Sequence, residues 1–144
     1  MGITIRNTKG HHAHIGYGGF ARLRMFVANA CSKEYGAIYE KLYNPEFMCS
    51  LTTDEQIKAF EIEVDEIKKQ CLRNKKITPK IVKFLYESDC KGRISYGACK
   101  DIIAKIKDIP CDDNFGYIMQ PFDISDFINL LQEVYDTKGA LIWD

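Results

Sequence analysis

Three histidines, three glycines and two arginines crowd into the stretch His11 to Arg24, which reads H-H-A-H-I-G-Y-G-G-F-A-R-L-R. His12 and His14 are two apart, so on a strand both side chains leave the same side and form half of a metal site. Completing it needs a ligand from elsewhere, and the chain has no H-E-x-x-H motif. No metal or other cofactor is therefore expected. The glycines do not spell a standard nucleotide loop: the lysine of a P-loop and the spacing of G-x-G-x-x-G are both missing. What remains is anion binding at a helix start. The backbone amides of Gly16, Gly18 and Gly19 would hold phosphate and Arg22 and Arg24 would add charge. Tyr17 would stack on a base, and His12 or His14 would donate hydrogen bonds. The rival reading is a tight strand-to-helix connection in which Tyr17 and Phe20 belong to the core.

Other chemistry is weaker. S-D-C-K-G-R-I-S at 88–95 has the outline of a calcium loop, but Lys91, Arg93 and Lys100 stand where ligands are needed. Asp112-Asp113 reads as loop solvation, and no motif joins a cysteine to a histidine as a nucleophilic pair. The six cysteines form no C-x-x-C pair. Cys31, Cys71 and Cys99 fall on apolar helix faces, so free buried thiols are expected rather than disulfides.

Charge is balanced overall, with 20 basic and 20 acidic residues, which disfavours nucleic acid as a partner. Its distribution is uneven. No carboxylate precedes Glu34, whereas from Asp108 onward the acids face Lys138 alone. Read functionally, this gives the opening stretch an electropositive setting; the structural reading is that the two ends attract each other or are both merely solvated. A composition of 46% apolar and 28% charged residues is that of an ordinary globular protein. No apolar run is long enough to span a membrane. The opening G-I-T-I-R-N-T-K-G lacks the apolar centre of a signal peptide, so a cytoplasmic protein is expected.

These residues need elements to position them. Ile3 and Ile5 alternate with polar neighbours as in a strand, and His12 to Ile15 extends it after a turn at Lys9-Gly10. Phe20, Leu23, Phe26, Val27 and Ala30 make one face of a first helix, 20–31, with Arg22 off that face and Arg24 at its edge. Further helices are read at 33–43, after Thr52-Thr53, after Thr78-Pro79, after Ser95 and after Asp123, with Gly139 ending the last. Residues 111–121 form an irregular acidic loop, and Ala140 to Trp143 a closing strand. The pattern predicts one α+β domain spanning 1–144, mainly helical, with about six helices and a minimal sheet pairing the N- and C-terminal strands.

G-Y-G-G-F-A-R-L-R, F-L-Y-E-S-D-C-K-G-R-I-S-Y-G-A-C-K and the final G-A-L-I-W-D together resemble a group of small uncharacterised bacterial and phage proteins. That group shares a G-Y-x-x-F-x-x-L-R opening, an S-D-C-x-G segment before a helix and an L-x-W strand. Residues 44–76 lie outside the resemblance, and Lys91 stands where the group's loop carries an acid. By analogy with small phage proteins that inhibit host defence, the resemblance implies sequestration of a signalling nucleotide.

Three functions follow as expectations. The first is a non-enzymatic binding protein for a small anionic ligand such as a nucleotide. The second is an inhibitor or adaptor that meets a host protein through the 111–121 loop or the 54–72 helix. The third is a metal-dependent nucleotide hydrolase at the histidines. Homo-oligomerisation is left open, and no membrane partner is expected.

Overall fold

The computed structural model describes residues 2–144. Its sheet has four antiparallel strands in the order β2-β1-β4-β3. These are β1 (Gly2–Asn7), β2 (His12–Gly16), β3 (Gly92–Ser95) and β4 (Ala140–Trp143). β1 and β4 pair as expected, with Ile5 opposite Trp143. The sheet is larger than a terminal pair. β2 adds to β1 through a tight turn, and β3, read from sequence as loop and cap, adds to β4. Gly92–Ser95 carries a single large apolar residue, Ile94, whereas Ala140–Trp143 is apolar throughout, which is why β3 is invisible as a strand in the sequence.

The described residues form seven helices: α1 (Tyr17–Cys31), α2 (Lys33–Leu42), α3 (Pro45–Ser50), α4 (Asp54–Arg73), α5 (Pro79–Tyr86), α6 (Tyr96–Ile106) and α7 (Ile124–Thr137). Of these, α1, α5, α6 and α7 pack on the sheet and α2 packs on α1. The short α3, begun by Asn44 and Pro45, is the one the sequence pattern did not resolve. Ile3, Ile5, Ile15, Ile94, Leu141 and Trp143 point into the helical layer and are buried. The opposite face carries Arg6, His12, His14 and Arg93 into solvent.

Local capping chemistry sets the helix starts. Ser32, Asn44, Thr53, Thr78, Ser95 and Asp123 each accept a backbone N–H from the first turn, and Thr53 with Gln56 closes a capping box. α1 differs: its cap is Gly16, which has no side chain to offer. α7 stops at Lys138, which takes the left-handed conformation itself at φ 53°, one residue before the expected Gly139.

α4 is less buried than its pattern implies. Phe60 and Cys71 are buried, whereas Ile57 is exposed and Val64 and Ile67 are half-buried, because α4 leans mainly on α2. All six cysteines are free, with Cys31, Cys71 and Cys99 buried.

Candidate functional site

Helix α1 begins at Tyr17, earlier than Phe20, so Gly18 and Gly19 lie inside its first turn. None of the glycines takes a positive φ. Their task is close packing. A Cβ on Gly19 would overlap the carbonyl oxygen of Phe115, and one on Gly16 would touch the Tyr117 ring. Gly18 faces open space apart from the Arg22 guanidinium at 3.6 Å. Arg22 reaches the same loop: its Nε donates to Asp113 at 3.0 Å and its Nη2 to the Asn114 carbonyl at 2.9 Å. Gly19 and Arg22 therefore seat the 111–121 loop.

The histidines lie apart from this. His12 and His14 are exposed on β2, an edge strand, with ring centroids 5.4 Å apart, and Thr4 Oγ1 lies 3.0 Å from His14 Nδ1. His11 binds Glu133 of α7 through its ring and its backbone N–H. Among the described residues no three His, Cys, Asp or Glu side chains gather as a metal site would require. The metal-hydrolase expectation thereby loses its structural basis.

Helix α1 also borders a cavity of about 450 Å³, within the size range of small-molecule sites. Four tyrosines line it: Tyr17 from α1, Tyr39 and Tyr43 from α2 and its end, and Tyr86 from α5. Tyr39 organises the group. Its ring lies 4.7 Å from that of Tyr43 and 5.7 Å from that of Tyr86, and its hydroxyl donates to the Leu85 carbonyl at 2.9 Å. Burial pushes the Tyr39 phenol well above its ordinary pKa, so it is a neutral donor at any working pH. Tyr43 at 53% and Tyr17 at 40% exposure remain at the mouth.

Arg22 and Arg24 also line this cavity, as do Glu87, Ser88 and Asp89. Arg24 was placed by sequence at the edge of the apolar face, yet it is buried, with 4% exposure. Its Nη2 donates to the Glu87 carbonyl at 2.7 Å. Its guanidinium carbon lies 4.4 Å from the Phe20 ring centroid, 5.5 Å from that of Trp143 and 5.7 Å from that of Phe84. Aromatic faces attract a cation, so three rings and a carbonyl stand in for lost water. They do not neutralise it. Among the described residues no carboxylate forms an ion pair with Arg24, and its Nε is the one buried side-chain nitrogen or oxygen without a hydrogen-bond partner. Burial lowers its pKa, and the fields of the Asp89 and Glu87 carboxylates oppose that only in part.

Trp143 Nε1 donates to the Ser88 carbonyl at 2.7 Å, beside the Arg24 contact with Glu87. The opening, middle and closing motifs thus meet at Glu87–Ser88. Of the residues singled out by sequence, the cavity collects Tyr17, Arg22 and Arg24. His12, His14, Gly16, Gly18 and Gly19 are outside its lining. Tyr39, Tyr43 and Tyr86 were missed as site residues, because helical spacing makes tyrosines look like core until a cavity is seen beside them.

The fold and site define a two-layer α+β domain with a tyrosine-lined, arginine-backed cavity. No protein-family model, curated protein or solved structure matches the chain. No helix among the described residues is long and apolar enough to cross a membrane.

Proposed function

We propose that this is a non-enzymatic binding protein that sequesters a small, planar, anionic ligand of the nucleotide class in the tyrosine cavity. One observation carries the reading: a buried guanidinium with no carboxylate partner stands in the wall of a cavity lined by four tyrosine rings. A buried cation that is compensated only in part is costly, and an anion brought beside it recovers part of that cost. The rings offer stacking to a base. The anionic group belongs beside Arg22 and Arg24. The resemblance to small phage proteins supports a role in the bacterial cytoplasm against a defence signal.

Calorimetry with a panel of cyclic and linear nucleotides tests this. Binding tighter than about 100 µM, or about −5.5 kcal/mol, is expected for at least one of them. Tyr43→Ala, at the cavity mouth, should weaken it by about tenfold or more with the fold intact. If no nucleotide binds at that level, the reading falls. Chromatography of the same mixtures should recover the ligand unchanged, and appearance of product would replace sequestration by hydrolysis.

A further inference from the structure

The 111–121 loop is irregular by its backbone pattern but tightly built. Tyr117 N–H donates to the Gln120 carbonyl at 3.0 Å, and Gln120 N–H returns to Tyr117 at 3.1 Å. One step further in, Phe115 N–H donates to the Phe122 carbonyl at 2.8 Å. This is a short hairpin with Ile118 and Met119 at its tip. Asn114 Oδ1 accepts from the backbone N–H groups of both Gly116 and Phe122, each at 2.9 Å, and locks the base. Phe115 and Phe122 are buried anchors. Gly19 makes room for the Phe115 carbonyl, and Arg22 ties down Asp113 and Asn114.

Against that investment in rigidity, the tip is bare. Ile118 and Met119 are each 93% exposed, more than any other large apolar side chain among the described residues. A stiff hairpin that holds two neighbouring apolar side chains in water is already ordered for binding, so docking costs it little entropy.

We propose that Ile118 and Met119 form a docking plug that inserts into an apolar pocket of a partner protein whose rim is rich in Lys and Arg. The charge pattern selects this occupant. The Phe115–Phe122 pairing brings Asp112, Asp113 and Asp123 together at the hairpin base, with Asp113 tied to Arg22, and the chain from Asp108 through Thr137 carries no lysine or arginine. An acidic setting is repelled by an anionic membrane and attracted to a basic rim. A second copy is poorly matched: the apolar groove beside Phe60 and Val64 is bordered by Glu61 and Asp65, with Lys68 as its one cation. The hairpin and the nucleotide cavity share Arg22, which ties down the hairpin base and lines the cavity, but Ile118 and Met119 are outside the cavity lining, so failure of one reading leaves the other standing.

The test starts from a photo-crosslinking residue, benzoylphenylalanine, at position 119 in the full chain, within cells that carry the gene. The same residue at position 62 on α4, where Ile62 is exposed, is the control. Crosslinking only nominates a partner. The deciding step titrates the purified partner against the wild type, Ile118→Asp/Met119→Asp and Ile62→Asp. The tip variant should lose affinity on the order of thirtyfold, as central apolar anchors do. Ile62→Asp should bind as wild type, and binding should weaken between 50 and 300 mM salt, on the order of a Debye-screened contact. Circular dichroism of the tip variant should match wild type, since its substituted residues touch solvent. Four results would overturn the proposal: no crosslink at 119 beyond that at 62, a crosslink to the chain itself, binding indifferent to the tip variant, or tip-dependent binding to anionic vesicles in place of a protein.

Discussion

The backbone carbonyl of Phe115 occupies the space that a side chain on Gly19 would need. The glycine run that looks like a phosphate loop is, at this position, the seat of a hairpin. Gly19→Ala must push the 115–122 segment off α1, and a loss of about 1–3 kcal/mol in urea unfolding is expected. Gly18→Ala meets only the end of Arg22 and lies in the first helical turn. It should be neutral or stabilise by about 0.5 kcal/mol. Equal effects from the two substitutions would contradict this division of labour.

Arg24 holds three distant stretches together through Glu87 and the rings of Phe20, Phe84 and Trp143. Arg24→Ala removes the charge and leaves a hole among those rings. A destabilisation of about 2–4 kcal/mol is expected. Arg22→Ala, on an exposed ion pair with Asp113, should cost about 1 kcal/mol or less. Thermal or urea denaturation of the two variants side by side checks the contrast.

Glu133 gives a pH dependence with a definite sign. Its carboxylate accepts from the Asn7 amide and from the ring and backbone N–H of His11, at 2.9 Å for Asn7 and for the backbone donor. These donors, Asn7 first, hold its pKa down to about 2 against an ordinary 4.5. A carboxyl depressed on folding stabilises fully above its unfolded pKa and loses that contribution as pH falls through the folded one. The contribution should be complete above about pH 5 and drain between about 4.5 and 2, on the order of 1 kcal/mol after solvent screening. Glu133→Gln should flatten the stability curve in that window. An unchanged acid limb would show that the β1–β2 turn is not tied to α7 in this way.

The thiols should separate by burial. Cys49 and Cys90 are exposed, whereas burial pushes Cys31 to about 11 and Cys99 to about 12. Under native conditions Cys49 and Cys90 should label rapidly with a thiol reagent, and Cys31, Cys71 and Cys99 only on unfolding. The Cys90 thiol donates to Asp89, which raises its pKa. Asp89→Asn should therefore speed labelling at Cys90, read by peptide mass spectrometry, and an unchanged rate would remove that contact.

The sequence by itself determined the architecture's outline. Period and capping are local, so Thr53, Thr78, Ser95 and Asp123 marked their helices, and Ile3 with Ile5 and the run Ala140 to Trp143 marked two strands. It also drew attention to Tyr17, Arg22 and Arg24, because aromatic and cationic groups beside glycines are unusual wherever they fold. Tertiary structure decided what those residues face. Whether Arg24 is a surface charge or a buried one depends on Phe84, Glu87 and Trp143, which lie sixty or more positions along the chain. Whether a glycine greets a ligand or a neighbouring backbone depends on where Phe115 comes to rest. Helical spacing records that Tyr39 and Tyr86 turn toward the same side as the core. A cavity is a gap between elements, and no single element's periodicity encodes a gap.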